Sequence, residues 1–438
     1  MKKLLFLFGL SILISCSNDN QHVSEQNPFD GKLIWSKTVG GSNEEYVRAV
    51  QSSKDGGFFV IGYTKSNDGE VVNKVGLEED IWLTKFTSDG NLIWSKTYGG
   101  SLDDFGYSVI ENTDGTLAIA GYSKSNDGDV PNNLGMHDFF IFKTDASGNI
   151  LWKKSYGFAS HDHAHKIINT SDGGFFVVGY ADYSGFNRSS FEVQHGVGEY
   201  YGLKLDANGE KQWDCYFGGT QNDRVFDVVE ANTGGYVMVG YSESNDFDVE
   251  DNHGSYDYWV VKINALGNLI WKKSYGGSDL DQAYGIAKGN NNTYLITGTA
   301  ASVDGDITSN KGENDVWVIA IDDNGTKLWD KSYGGSQSEV ANAIKVLSNG
   351  NFLLSGFTTS SDGDITHNKG MNDFWVFTIT PSGKVLWQQT FGGSNIDFAY
   401  DATEILDKGI IIVGETQSND LDVPENKGIN DMLVVKVH

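Results

Sequence analysis

Residues 90–152 read GNLIWSKTYGGSLDDFGYSVIENTDGTLAIAGYSKSNDGDVPNNLGMHDFFIFKTDASGNILW. The stretch opens on Gly90 with Trp94 four residues on and closes on Gly148 with Trp152, so it holds one period of a repeat. Working outward, the same tryptophan recurs at Trp35, Trp94, Trp152, Trp213, Trp271, Trp329 and Trp387, at intervals of 59, 58, 61, 58, 58 and 58 residues. A glycine ending an apolar run keeps the same beat at Gly62, Gly121, Gly179, Gly240, Gly298, Gly356 and Gly414. Two independent markers therefore give seven units.

Each unit carries four strand signals. In the quoted unit they are Phe105 to Glu111 (A), Leu117 to Tyr122 (B), Phe139 to Thr144 (C) and Asn149 to Tyr156 (D). Tight polar turns such as Asp55-Gly56-Gly57 and Asp172-Gly173-Gly174 join A to B, as hairpins prefer. Strand B is a continuous apolar run, Phe58-Phe59-Val60-Ile61 or Phe175-Phe176-Val177-Val178. Alternation would indicate one wet face, whereas a continuous run indicates burial on both. Stacked blades supply that environment. The last unit has strand C (Met432 to Val437) but no strand D, while a lone strand D, Lys32 to Val39, precedes the first unit. Pairing the two closes a ring and removes both sheet edges. A solenoid would need capping repeats instead. The expectation is an all-β fold over residues 30–438: a seven-bladed β-propeller of four-stranded blades, closed by the N-terminal strand completing the last blade.

The composition agrees. The chain has 438 residues, 54 glycines, 13% aromatics and only four prolines. A net charge of −27 argues against a nucleic-acid surface and against adhesion to anionic lipid. It suits solubility as a monomer, or divalent cations. The two cysteines, Cys16 and Cys215, exclude a disulfide framework, and Cys215 reads as a packed free thiol.

Residues 1–15 stand apart. Lys2 and Lys3 precede an apolar run, Leu4 to Ile14, that is too short to span a bilayer as a helix. The run ends Leu13-Ile14-Ser15-Cys16, which resembles the lipobox of bacterial lipoproteins. The resemblance implies cleavage before Cys16 and acylation there, palmitate included, with several chains giving stable membrane anchoring. Residues 16–29 then form the lipidated cysteine and a polar tether. Ser17-Asn18-Asp19 lacks an aspartate directly after the cysteine, and the acidic residues soon after it resemble surface-export signals of Bacteroidota lipoproteins. Localisation at the outer membrane, exposed on the cell surface, is the implied expectation.

The spacing Gly-x-x-x-Trp, present in every unit from Gly31/Trp35 to Gly383/Trp387, resembles the tryptophan-docking motif of quinoprotein-like (PQQ-type) propellers. The turn before it, D-x-x-G, is one residue shorter than that family's, so the likeness implies architecture and not the quinone cofactor. The full repeat resembles those common in Bacteroidota surface lipoproteins. Some such repeats carry an endoglucanase-like name, which implies glycoside hydrolysis as an alternative function.

In a four-stranded blade the D–A and B–C connections emerge on one face, and here both are long and polar. Asp127/Asp129, Asp304/Asp306 and Asp362/Asp364 form Asp-Gly-Asp pairs, followed by Asp138, Asp315 and Asp373 just before strand C. Such loops offer the six to eight oxygens that calcium needs. The competing reading is that they accept hydrogen bonds from their own loop amides. Unit three breaks the pattern: its D–A loop contains His161, His163 and His165, and its long B–C loop contains Tyr183, Phe186, Arg188, Phe191, Tyr200 and Tyr201. Imidazoles at alternate positions share one side of a strand and so are candidate transition-metal ligands. The aromatics are candidates for stacking on sugar rings, against ordinary loop packing.

No G-x-S-x-G elbow, H-E-x-x-H pair or phosphate-binding glycine loop occurs. Among 59 acidic residues some glycosidase-like pair always fits, so none can be nominated. The sequence therefore favours a non-enzymatic binding scaffold for a glycan or protein ligand, requiring no cofactor, with calcium as the one candidate.

Overall fold

In the computed structural model, residues 29–182, 196 and 198–438 are described. After β1 (Leu33–Val39), blade one is β2 (Glu45–Ser52), β3 (Phe58–Thr64), β4 (Asp80–Phe86) and β5 (Leu92–Tyr98). Blade two is β6 (Asp104–Glu111), β7 (Leu117–Ser123), β8 (Asp138–Thr144) and β9 (Ile150–Tyr156). Blade three is β10 (Asp162–Asn169), β11 (Phe175–Ala181), β12 (Glu199–Leu205) and β13 (Lys211–Phe217). Residues 223–275, 281–333 and 339–391 supply β14–β17, β18–β21 and β22–β25. The chain ends with β26 (Asp397–Glu404), β27 (Ile410–Thr416) and β28 (Asp431–Val437).

Every sheet is antiparallel with its strands in sequence order, except the seventh, which runs β26-β27-β28-β1. Leu33 lies opposite Val437 and Val39 opposite Met432. The ring closes as the complementary ends predict. No helix among the described residues is long and apolar enough to cross a membrane.

The second strand of each blade is covered on both faces; in β3 all seven residues are buried. The core consequently lies between blades. One cluster joins Val237, Val239 and Val260 of blade four to Ile286, Ile296 and Trp317 of blade five.

The repeated glycine–tryptophan pair acts across this seam. Trp35 of β1 packs over Gly90 in the β4–β5 turn of the next blade, where a Cβ would sit 2.5 Å from the ring. Gly209 under Trp152, Gly267 under Trp213 and Gly325 under Trp271 repeat the contact. These glycines also have φ between +72° and +83° except Gly90, at +70°, so two separate constraints select glycine. Tyr98 and Tyr333 add a hydroxyl bond to the same turn, donating to the carbonyls of Gly148 and Gly383 at 2.7 Å.

Candidate metal-ligating seam and axial pocket

Toward the face bearing the long loops, each seam brings two buried acids together. One opens the third strand of a blade and the other opens the first strand of the next. A Cβ on Gly99 would lie within 3.0 Å of both Asp80 Oδ1 and Asp104 Oδ2. Gly157, Gly276 and Gly392 stand in the same relation to Asp138/Asp162, Asp257/Asp281 and Asp373/Asp397. The first-strand acid is well supplied with donors: Asp104 accepts from Gly100 N at 2.7 Å and from the Ser125 hydroxyl at 2.9 Å. By contrast Oδ1 of Asp80, Asp138, Asp257, Asp315, Asp373 and Asp431 is buried without a hydrogen-bond donor. Burial pushes Asp80, Asp138, Asp315 and Asp373 up to about 6, and Asp104 and Asp162 up to about 7. Repulsion from the neighbouring acid adds to the rise at Asp104, Asp162 and Asp373.

The Asp-Gly-Asp loops have a local task. Asp127, Asp304 and Asp362 accept the amides of Ser101, Ser278 and Ser336 at 2.8, 2.8 and 2.7 Å, tying the two long loops of a blade together. Asp129 faces Lys153 at 3.4 Å and Asp306 faces Lys327 at 3.3 Å. Asp364 accepts from Gly334 N at 3.0 Å and pairs with Lys311. Among the described residues, none of these aspartates belongs to a group of three side chains whose ligand atoms converge within 4.8 Å.

Just outside the acid pair at five of the seven seams, the two preceding residues face each other as an isolated bridge. They are Asn430 and Glu44, His137 and His161, Tyr256 and Leu280, Asn314 and Ser338, Asn372 and Ile396. This position is free to vary because the constant pair behind it holds the seam. At the blade two–three seam it brings His137 Nδ1 and His161 Nδ1 to 2.6 Å. His163, two residues on in β10, joins them: one ring nitrogen of each lies within 4.8 Å of the other two. Tyr180 Oη meets His163 Nδ1 at 2.6 Å, while His163 Nε2 is buried without a partner. Tyr122 stacks on His163 with centroids 3.7 Å apart. Burial lowers His137 to about 4 and His163 to about 2, so both are neutral near pH 7.

The sequence-based trio needs correction at one member. A β-bulge between Ala164 and Lys166 breaks the strand alternation, and His165 turns away to the ring's axis. There it stacks between Tyr107 (5.0 Å) and Phe226 (4.7 Å), with Nδ1 3.1 Å from Val225 O. His137 takes its place. The candidate stacking residues also need correction, because Tyr200 and Tyr201 lie in β12 and are core residues. The Tyr200 hydroxyl donates to Trp259 O at 2.7 Å, and the Tyr201 hydroxyl donates to Asp214 at 2.9 Å. Cys16, Tyr183, Phe186, Arg188 and Phe191 fall outside the described residues.

The axis contains a second candidate that the loops did not suggest. The first strands line it, and the bulge residue of each contributes one side chain: Arg48, Tyr107, His165, Phe226, Tyr284, Asn342 and Tyr400. They border a cavity of about 400 Å³, within the range of small-ligand pockets. The next position is small in four blades (Ala49, Ser108, Gly285, Ala343) and charged in three (Lys166, Asp227, Asp401). Lys166 pairs with Asp227 at 3.3 Å, and Lys345 pairs with Asp401 at 2.6 Å. Asp227 also accepts from Ile286 N at 3.1 Å and Asp401 from Val50 N at 3.0 Å. Arg48 lies 4.4 Å from the Tyr400 ring centroid and bonds Glu415 at 2.7 Å.

No family model matches the chain. It is similar to the regulatory protein FlaEY of Caulobacter vibrioides, with 22% identity over 405 residues. That match covers 83% of this chain and 42% of FlaEY, so the chain spans less than half the length of this relative. Similar solved structures include Sqt1 from Chaetomium thermophilum, at 9% identity and a TM-score of 0.47, covering 94% of this chain and 99% of that one. The Neurospora crassa Pan2 WD40 domain matches at 10% identity and a TM-score of 0.43, covering 92% and 89%.

Proposed function

We propose that this chain is a surface-exposed outer-membrane lipoprotein, anchored at Cys16, whose propeller is a non-enzymatic binding scaffold for a glycan. The observation that carries the binding role is the axial pocket. Ion pairs taken out of water are commonly less stabilising than small apolar packing of the same space. Four blades use that small packing, while blades three, four and seven place Lys166, Asp227 and Asp401 there. The exception suits a ligand with polar edges and apolar faces. Sugar rings stack on aromatic walls such as Tyr107, Phe226 and Tyr284, and their hydroxyls pair with charged groups.

A hydrolase would need one carboxyl held protonated as an acid and a second held ionised. Asp227 and Asp401, the two carboxyls of the axial pocket, are each already engaged by a lysine and a backbone amide.

The test is a panel of polysaccharides and oligosaccharides against soluble residues 17–438. Retention without turnover is expected. New reducing ends would replace this reading with the endoglucanase-like alternative. A panel with no retention would overturn the glycan reading and leave a protein ligand to be sought.

A further inference from the structure

We propose that His137, His161 and His163 form a mononuclear site for a first-row transition metal of the zinc, copper and nickel class, at the rim of the blade two–three seam. Two imidazole nitrogens 2.6 Å apart repel through their lone pairs unless a proton or a cation lies between them. Tetrahedral zinc with metal–nitrogen bonds of about 2.0–2.1 Å places its ligand nitrogens about 3.3–3.4 Å apart. Small rotations of the His137 and His161 rings reach that geometry, because both are only partly buried.

The third ligand is already oriented. With Nδ1 of His163 joined to the Tyr180 hydroxyl, the nitrogen left for a metal is Nε2, which is buried and has no other partner. A ligating histidine normally fixes its tautomer by donating its other N–H to an acceptor, and in the metal-bound form Tyr180 Oη, 2.6 Å from Nδ1, would be that acceptor. The Tyr122 ring fixes the plane. Three imidazole nitrogen donors suit zinc, copper or nickel and do not suit calcium or magnesium, which take oxygen. Three protein ligands also leave a coordination position for water or for an oxygen of a bound molecule. Among the described residues the neighbouring seam holds the other convergent group, Glu78, Glu79 and Asp103, at an equivalent rim position. That group is tied to Lys65, 2.9 Å from Glu79, and is all carboxylate, so it does not duplicate the imidazole site.

The experiment uses soluble residues 17–438 purified without a histidine tag and stripped with chelator. Zinc chloride is titrated by calorimetry, and one equivalent of Cu²⁺ is examined by EPR for nitrogen coupling. One equivalent of zinc with a Kd of about 1 µM or tighter is expected, with three coupled nitrogens on copper. His161→Asn and His163→Gln each weaken zinc at least about 50-fold and remove one nitrogen, whereas His165→Gln leaves both readouts unchanged. Tyr180→Phe keeps all three ligands and weakens binding about 10-fold; it serves as the test if a histidine variant fails to fold. Substoichiometric zinc binding overturns the site. So does His161→Asn with wild-type affinity, or His165→Gln as weak as His163→Gln.

Discussion

The seam between blades five and six and the seam between blades two and three share one frame and differ in what it presents. In the first, Asp315 and Glu339 turn toward Gly334, and the rim beyond them holds Asn314, Ser338 and Val340. In the second, Asp138 and Asp162 turn toward Gly157, and the rim holds His137, His161 and His163. The paired acids, the glycine and the docked tryptophan recur because each blade must bury its neighbour's face. The rim carries no such duty, and the axis carries it only in part. Chemistry has room only where the scaffold makes no demand.

That division is open to attack. The largest effect is expected from deleting residues 30–39, which removes β1 and leaves β28 an open edge. The single cooperative thermal transition should then be lost, and gel filtration should show association. Next comes a contrast of two glycines with similar φ. A Cβ added at Gly325 (+72°) would lie 3.1 Å from Trp271, whereas one added at Gly350 (+83°) would have nothing within 4 Å. Gly325→Ala should cost about 2–3 kcal/mol in urea unfolding and Gly350→Ala about 1 kcal/mol. Equal costs would show that docking adds nothing to backbone strain.

The paired acids predict an unusual pH dependence. Asp80, Asp315 and Asp373 are raised to about 6 and Asp104 to about 7, each by burial. Between about pH 4 and these values the folded chain holds protons that the unfolded chain has released. Their stabilisation is complete below the unfolded value and is lost as pH rises through 6–7. The melting temperature should therefore be higher at pH 5 than at pH 8 at fixed ionic strength. In Asp373→Asn, which carries no titrating carboxyl, the difference should shrink by roughly one seam's share. The smallest effect expected is that of a calcium chelator, which should leave the melting midpoint unchanged because loop amides and lysines already engage Asp127, Asp129, Asp304, Asp306, Asp362 and Asp364.

The fold was legible because it is periodic. Trp35 through Trp387 mark every blade, and the end strands complement one another. The sites were legible only as departures from that period. Of the blade-three histidines, His161 and His163 converge, but with His137 of blade two, because His137 and His161 meet through a seam that spacing along one strand does not reveal. His165 was misplaced because alternation assumes a regular strand, and the bulge at Ala164/Lys166 is a feature of pairing. Tyr200 and Tyr201, placed by sequence length in the loop, occupy the strand positions of Ile81 and Trp82, which are core. The axial charges left a readable signal: Lys166, Asp227 and Asp401 interrupt a column of Ala, Ser and Gly.

On the proposed reading, the propeller binds where the repeat is broken and not where it is kept. The direct measurement is the affinity of one retained glycan for three proteins: wild type, Tyr284→Ala at the axis, and the loop variant Asp127→Asn/Asp304→Asn/Asp362→Asn. At least about a tenfold loss is expected in Tyr284→Ala, with wild-type affinity in the loop variant. Loss in the loop variant with Tyr284→Ala unaffected would contradict this reading.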